Sequence, residues 1–286
     1  MFFDQISLSI GLPKPLRLLH ASDSHLTFAD ERDDLRKREL AATRTRDFHD
    51  VMHEPGGALE RLQEVIDYAR EKCDLLVHTG DVIDFVSHPN FEYLRSCLGV
   101  MDTIFAPGNH EFSRYIGEAK EDDDYKALNF NHVQLCSPNE IDFFARIVHG
   151  LNLVVVDNSY FEFKPRHLEA LRAEVACGLP IVLLMHIPIF TDELYNEMMI
   201  TRHREAAHLI GTPEALLAPY SRARQEQQRP TPATLEFIDY IKHQPLIKAV
   251  LCGHMHFPFR CWLTPTLPQF VAGPTFDNYA AIVEIT

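Results

Sequence analysis

Residues 75–84 read LLVHTGDVID, a short apolar run that stops at a glycine and two aspartates. A continuous run of Leu and Val of this length is typical of a strand that is buried on both faces of a sheet. Comparable runs stop at polar clusters elsewhere in the chain, at 16–21, 103–106, 153–156, 181–185 and 249–252. This repetition predicts several buried strands whose ends carry the polar residues.

Amphipathic helices are predicted between these strands. Residues 56–72 have apolar side chains at helical spacing, and 165–177 opens on a proline and is followed by a glycine. Shorter helices are predicted at 91–98 and 235–242. Residues 269–271 and 279–285 are interpreted as a closing pair of strands around the turn at 273–275. The alternation of strands and helices predicts an α/β architecture.

Two charged segments, 28–53 and 189–228, interrupt this alternation. We expect them to be helical insertions in a single domain that spans residues 1–286. Each is either a solvated helix face or a rim or lid beside a functional site, where insertions in α/β domains commonly lie. The acidic cluster at 121–124 is interpreted as a surface loop.

The composition excludes some classes of partner. Lys and Arg number 27 against 41 Asp and Glu, and the formal net charge of −14 opposes binding to extended nucleic acid. No apolar run approaches the ~18 residues of a membrane span. Six cysteines without a Cys-x-x-Cys pair are interpreted as reduced thiols, and an N-terminus without a basic signal sequence indicates a cytoplasmic chain. The sequence carries no signal for an oligomeric state.

The polar clusters contain carboxylate, imidazole and amide side chains that are candidate metal ligands. These are Asp23, His25, Asp81, Asn109, His186, His254 and His256. Oxygen and nitrogen donors without a thiolate suit Mn, Fe or Zn and exclude a cysteine-based structural zinc site. Because the carboxyl ends of neighbouring parallel strands meet at one edge of a sheet, we expect these residues to converge.

In order along the chain, the clusters read D-x-H, G-D-x-x-D, G-N-H-E, a lone His and G-H-x-H. This series resembles the calcineurin-like metallophosphoesterase superfamily, and the resemblance extends from about Leu16 to the end of the chain. It implies a four-layer α-β-β-α sandwich of two central mixed β-sheets flanked by helices. It also implies a hydrolase that acts on phosphoric ester bonds.

The resemblance further implies a centre of two divalent or mixed-valence ions, each Mn, Fe or Zn. Asp23, His25 and His256 would hold one metal, Asn109, His186 and His254 would hold the other, and Asp81 would bridge them. Two such metals can share a water molecule and lower its pKa, and a bridging hydroxide is the expected nucleophile.

His110 follows a candidate ligand directly. The resemblance implies that this histidine contacts the phosphoryl group, helps the leaving oxygen depart and is oriented by Asp84, the last residue of G-D-x-x-D. A hydrogen bond from His110 to Asp84 would favour the imidazolium form of His110, which can donate a proton. Asp84 is alternatively a helix cap or a solvated carboxylate.

Some features of related families are missing. Protein Ser/Thr phosphatases continue G-D-x-x-D with Arg-Gly and place Arg before G-N-H-E, whereas this chain has Phe85-Val86 and Pro107 at those positions. Purple acid phosphatases have a Tyr ligand where Asp84 stands. What remains resembles the phosphodiesterase-like branch, so we expect hydrolysis of a small phosphodiester or nucleotide-like phosphate ester.

Two alternatives remain open. The first is a phosphomonoesterase, including a protein phosphatase, in which Arg202 or Arg204 replaces the missing arginines. The second is a non-catalytic binding scaffold.

Other polar residues receive simpler interpretations. His20 and His78 lie inside predicted strands and are interpreted as core residues, whereas His203 and His208 belong to the second insertion. Asn158 and Tyr160 follow a strand end and are placed where they could reach a substrate.

Overall fold

The structure is a computed structural model, and it describes residues 1–52, 56–116 and 122–286. Strands in these residues form two sheets. The first sheet has the order β1-β11-β2-β3-β4, with β1 at Phe2–Leu8, β2 at Leu16–Ala21, β3 at Leu75–His78, β4 at Thr103–Phe105 and β11 at Tyr279–Ile285. The second has the order β5-β6-β7-β8-β10-β9, with β5 at Phe143–Val148, β6 at Leu151–Val156, β7 at Ile181–Leu184, β8 at Ile247–Cys252, β9 at Phe259–Thr264 and β10 at Leu267–Val271.

Both sheets are mixed, and each has a parallel centre. In the first sheet β2, β3 and β4 run parallel, while β11 pairs antiparallel with β2 and parallel with β1. In the second sheet β6, β7, β8 and β10 run parallel, while β5 and β9 are antiparallel at the two edges. The parallel strands of each sheet therefore deliver their carboxyl ends, and the loops that follow them, to one edge.

Helices cover the outer faces of the two sheets. Their bounds are α1 at Leu35–Val51, α2 at Ala58–Lys72, α3 at His88–Leu98, α4 at Asp123–Cys136, α5 at Pro165–Ala176, α6 at Asp192–Asn196, α7 at Arg222–Gln228 and α8 at Pro232–His243. Side chains of α2, α3 and α4 share a buried cluster with the first sheet, and side chains of α5 and α8 share one with the second. The predicted four-layer sandwich is confirmed.

The space between the two sheets is filled by the continuous apolar runs of the sequence. Leu18 and Val77 of the first sheet pack in one fully buried cluster with Val155 and Leu184 of the second. Burying such a side chain contributes about 1.5–3 kcal/mol to stability. This core holds the two sheets together and so fixes the loops at their ends relative to one another.

The interpretation of the chain's end was wrong. Residues 269–271 and 279–285 do not pair with each other, because β10 belongs to the second sheet and β11 inserts between β1 and β2 in the first. The strand β1 was not predicted, since its side chains are mostly exposed or half-buried and it lacks a continuous apolar run. The edge strands β5 and β9 were missed for the same reason.

The acidic cluster was also misread. Asp122 caps α4 by accepting a hydrogen bond from the Tyr125 backbone N–H at 2.8 Å, and Asp123 and Asp124 form the first turn of the helix. Carboxylates at this position are favoured by the helix dipole. Glu121 lies outside the described residues.

Both interrupting segments contain helices. The first holds α1, although its last residue, 53, lies outside the described residues. The second holds α6, a π-helix at Glu197–Thr201 and α7. In the described part of the chain, no helix has the length and apolar character needed to cross a membrane.

Candidate metal centre

The candidate ligands come from both sheets and lie where the parallel strands end. In the first sheet, Asp23 and His25 follow β2, Asp81 follows β3 and Asn109 follows β4. In the second sheet, His186 follows β7, and His254 and His256 follow β8. The interface between the sheets thus brings together side chains that are more than 200 residues apart, as in the contact between His25 and His256.

The backbone at these residues has an uncommon conformation. Positive φ angles occur at Asp23 (54°), His25 (47°), Asp81 (56°), His254 (72°) and His256 (56°). Such angles cost about 1–3 kcal/mol each for a residue with a side chain, and they persist where the surroundings hold them. Here the loops hydrogen-bond to each other, with the N–H groups of Asp23 and His25 donating to the carbonyls of Gly80 and Asp81 at 2.9 Å.

Two glycines permit the close approach of these loops. A Cβ atom at Gly108 would lie 2.2 Å from Asp81 Oδ1, and one at Gly253 would lie 1.8 Å from Ser22 Oγ. Any side chain at either position would displace a loop that carries a candidate ligand. The glycines of the G-N-H-E and G-H-x-H clusters are therefore required by packing.

A first group of donor atoms surrounds His25. Its Nε2 atom lies 2.9 Å from His256 Nε2, 3.6 Å from Asp81 Oδ2 and 3.7 Å from Asp23 Oδ1. Two imidazole nitrogens and two carboxylate oxygens so close together need a proton or a cation between them. Ligand atoms of these four residues all lie within 4.8 Å of one another, which fits a divalent ion.

A second group shares Asp81 with the first. His186 Nε2 lies 3.1 Å from Asp81 Oδ2 and 3.1 Å from His254 Nδ1. The oxygen Asp81 Oδ2 belongs to both groups, as a bridging ligand must. Asn109 Oδ1 is buried without a hydrogen-bond partner in the described part of the chain, which is the state expected of an amide oxygen that binds a cation.

Hydrogen bonds fix which nitrogen of the histidines faces the centre. His186 Nδ1 lies 2.6 Å from the Thr79 carbonyl oxygen, so it carries the proton and leaves the Nε2 lone pair free. His25 Nδ1 is held in the same way by Asp84 Oδ1 at 2.9 Å. Carboxylate and carbonyl acceptors behind histidine ligands are the usual second layer of metal sites. The residues present therefore fit a pair of metal ions.

The sequence agrees with this geometry. A model of the calcineurin-like phosphoesterase family matches residues 16–258. This chain belongs to that family. No curated protein sequence matches it significantly.

Several solved structures are similar to this chain at low identity. A dimetal phosphatase from Danio rerio superimposes with a TM-score of 0.53 and 11% identity, over 93% of this chain and 91% of that one. A putative 5'-nucleotidase from Staphylococcus aureus has a TM-score of 0.45 and 14% identity over 92% of this chain, which spans only 49% of the nucleotidase. A phosphopantetheinyl hydrolase from Mycobacterium tuberculosis has a TM-score of 0.43 and 14% identity, with 91% and 90% of the two chains covered.

The family match confirms the predicted family and makes this chain a phosphoester hydrolase. A catalytically silent scaffold is set aside.

In this phosphoesterase, His110 lies against both the main chain and the carboxylate of Asp84. His110 Nδ1 lies 2.7 Å from the Asp84 carbonyl oxygen and 3.2 Å from Asp84 Oδ1. Burial opposes protonation of His110. The charge of Asp81 and the hydrogen bonds that Asp84 accepts from His110 outweigh burial and raise the pKa of His110 to about 10. Asp84 is fully buried, so it is not solvated, and the helix that follows it, α3, is capped by Ser87.

Arg44 is a site residue that the sequence did not reveal. Its guanidinium, on α1, donates hydrogen bonds to the Asp84 carboxylate through Nε at 2.7 Å and Nη2 at 3.0 Å. One turn further along the helix, the Phe48 ring lies 4.9 Å from His25 and 4.8 Å from Phe276. The first insertion therefore forms a rim of the site and is not only a solvated helix.

Glu111 and Asn158 support the ligand loops. The buried Glu111 carboxylate accepts backbone N–H groups from Asp81 at 2.8 Å, Val82 at 2.7 Å and Gly108 at 2.7 Å. Burial and the charge of Asp81 raise the pKa of Glu111 to about 7. Asn158 Oδ1 accepts a hydrogen bond from the backbone N–H of His186 at 3.1 Å, so the Asn158 side chain positions a candidate ligand.

The second insertion brings His208 beside the centre. Its ring centroid lies 6.0 Å from that of His254 and 6.4 Å from that of Phe161. Gln228 holds the residue by accepting the His208 backbone N–H at 3.1 Å and donating to His208 Nδ1 at 3.4 Å. Burial and the charge of Arg224 lower the pKa of His208 to about 4, so the imidazole is neutral at physiological pH.

The remaining polar residues do not join the site. His20 and His78 are fully buried in the first sheet, and burial lowers the pKa of each to about 3. Their Nε2 atoms bond to Thr79 at 2.9 Å and Ser24 at 3.0 Å. Tyr160 is buried against Phe112, with ring centroids 6.0 Å apart.

Proposed function

We propose that this phosphoesterase hydrolyses a small phosphodiester or a nucleotide-like phosphate ester at a two-metal centre. The observation that carries the proposal is the sharing of Asp81 Oδ2 between two groups of buried donors. The proposed ligands are Asp23, His25, His256 and Asp81 for one ion and Asp81, Asn109, His186 and His254 for the other. When bound, such ions supply positive charge to the phosphoryl group and lower the pKa of a water molecule.

The protein contributes the proton donor. The Asp84 carbonyl oxygen can only accept, so His110 Nδ1 keeps its proton and Nε2 is the atom left to meet the substrate. The negative charge of the Asp84 carboxylate beside His110 Nδ1 favours the imidazolium form of His110. As the bond between phosphorus and the leaving oxygen breaks, His110 donates the Nε2 proton to that oxygen.

The charge around the centre favours a diester over a monoester. A monoester carries a second negative charge and gains most from a guanidinium clamp. Arg44, the guanidinium bonded into the site, is engaged by Asp84, and the neighbouring side chains Phe48, Phe161 and His208 are uncharged. A monoanionic diester needs no further cation from the protein.

One observation favours the monoesterase alternative. Arg202 is engaged by Glu197 at 2.9 Å and lies 3.6 Å above the Phe257 ring, so its guanidinium already has partners. Arg204 is exposed, and its charge contributes to the low pKa of His208. Arg204 is therefore the arginine of this insertion that a monoester phosphate would contact.

A comparison of substrates separates the two functions. A bis-aryl phosphate and the matching mono-aryl phosphate are assayed with Mn²⁺, Fe²⁺ and Zn²⁺, and we expect the larger kcat/KM for the diester. The variant Arg204→Gln is the control, and it should leave diester turnover unchanged. A large monoester preference that Arg204→Gln removes would establish the alternative.

A further inference from the structure

A cavity of about 460 Å³ lies between α1, α3 and α4, apart from the candidate ligands. Its basic lining residues are Lys37 on α1, Arg95 on α3 and Arg114 in the segment that follows the G-N-H-E cluster. Phe91 and Leu135 form part of its apolar wall. A volume of this size is typical of sites for small organic ligands.

The cations of this cavity form no salt bridge in the described part of the chain, although the charges of Asp33 and Asp34 act on Lys37. Within residues 1–52, 56–116 and 122–286, no carboxylate lies within salt-bridge distance of Lys37, Arg95 or Arg114. The acidic lining residues are engaged elsewhere. Glu92 binds Arg32 at 2.5 and 3.0 Å, and Asp33 accepts the His88 backbone N–H at 3.3 Å.

A second cavity provides an internal comparison. It measures about 330 Å³, lies beside α4 and α5, and is also lined by basic residues. There each cation has a carboxylate partner, because Lys164 binds Asp123 at 2.8 Å, Arg166 binds Asp142 at 2.6 Å and Lys126 binds Asp157. In a chain with a net charge of −14, three cations in one cavity that form no salt bridge in the described part of the chain point to an anionic ligand.

The apolar wall of the first cavity indicates a second property of the ligand. The Phe91 and His132 rings lie 5.7 Å apart, and Leu135 stands exposed beside them. Aromatic and aliphatic side chains of this kind pack against planar rings. We propose that this cavity binds a phosphorylated aromatic ligand of mononucleotide size, with the phosphate at Lys37 and Arg114 and the ring against Phe91 and Leu135.

The cavity is close to the candidate metal centre. Lys37 precedes Arg44 by two turns of α1, about 10 Å along the helix axis, and Val86 and Ser87 of the lining are two and three residues after Asp84. A ligand in the cavity is therefore either the distal part of a substrate whose ester lies at the metals or a separate molecule. Both share the chemistry of a phosphate joined to a planar ring.

Photolabelling of the metal-loaded protein with azido-adenosine monophosphate locates the site without requiring hydrolysis. We expect labelled peptides from α3 or α4, and labelling that falls about a hundredfold in Lys37→Gln/Arg114→Gln, as the loss of two charge-assisted contacts predicts. Lys164→Gln in the second cavity is the matched control and should label as the wild type does. An unchanged melting temperature of the double variant shows that it folds.

Label confined to peptides of the candidate metal centre, or full labelling of the double variant, overturns the proposal. Because the readout is covalent labelling, it stands even if the proposed diesterase activity fails.

Kinetics then distinguish the two sources, and either outcome supports the site. If the cavity holds part of the substrate, the double variant raises KM for a dinucleotide but not for a bis-aryl phosphate. If it holds a separate molecule, adenosine monophosphate changes kcat for the bis-aryl phosphate, and the double variant loses that effect.

Discussion

Arg44 donates two hydrogen bonds to Asp84, at 2.7 and 3.0 Å, and so joins α1 to the candidate metal centre. The same carboxylate accepts from His25 Nδ1 at 2.9 Å and lies 3.2 Å from His110 Nδ1. One fully buried carboxylate thus orients a proposed metal ligand, the proposed proton donor and the first insertion. A buried charge with this many partners becomes costly when one partner is removed.

Replacing Arg44 should therefore impair both activity and stability. In Arg44→Ala the Asp84 carboxylate loses a bidentate partner, and we expect kcat to fall about 10- to 100-fold, as is typical when the layer behind metal ligands is disturbed. Because the Arg44 side chain is 21% exposed, we expect the free energy of unfolding to fall by only about 1–3 kcal/mol. Arg44→Lys keeps the positive charge but cannot form the bidentate pair with Asp84, so it should recover part of kcat. Wild-type kinetics in Arg44→Ala would show that Asp84 needs no such partner.

His110→Ala tests the proton donor. The side chain is held by Asp84 and is not among the proposed ligands, so turnover should fall about 10²- to 10⁴-fold while both metals are retained. The measurement pairs kcat with metal content determined on the same sample. His203→Ala, an exposed histidine of the second insertion, is the control. Loss of metal together with activity would instead make His110 part of the metal site.

Removing the metals should lower stability as well as activity. Without a cation, His25 Nε2 and His256 Nε2 face each other at 2.9 Å beside two carboxylates, and the strained loops lose the contacts that hold them. A chelator should abolish turnover and lower the melting temperature, and Mn²⁺ should restore both. Asn109→Ala should bind one ion in place of two, because the proposal assigns its buried amide oxygen to the second ion only. Two ions retained in that variant would remove Asn109 from the ligand set.

Asp142 should make stability depend on pH. Partial burial opposes its charge, but hydrogen bonds from Arg166 at 2.6 Å and His167 at 3.1 Å outweigh burial and hold the pKa of Asp142 well below its usual value. A carboxyl whose pKa is lowered by folding stabilises the protein above its unfolded pKa of about 3.9, and this contribution is lost as the pH falls further. Urea unfolding should find the wild type more stable than Asp142→Asn at pH 7 and the difference vanishing towards pH 2. With 30% of the side chain exposed, the difference should be about 1 kcal/mol or less. A gap that is constant with pH would contradict this.

The parts of the fold that the sequence predicted are those in which local pattern and tertiary environment agree. Strands such as Leu75–His78 are buried on both faces and read as unbroken apolar runs, and the candidate ligands directly follow these strands. Edge strands such as Phe143–Val148 are half-buried, so their pattern is weak. Arg44 and His208 were missed because each reaches the centre through an insertion whose path depends on long-range packing. No local spacing signals such contacts.

His208 shows what the second insertion contributes to the site. It is 6.0 Å from His254 between ring centroids, and the bond from Gln228 to Nδ1 requires Nε2 to carry the proton of the neutral ring. A neutral donor fixed beside the metals can bind a phosphate oxygen without adding charge. We expect His208→Ala to lower kcat/KM about tenfold, the value of one hydrogen bond to a charged group, with metal content unchanged. His203→Ala is the matched control, because His203 shares the positive φ (52° against 56°) and the insertion but is exposed. Equal kinetics in the two variants would show that the second insertion does not supply this contact.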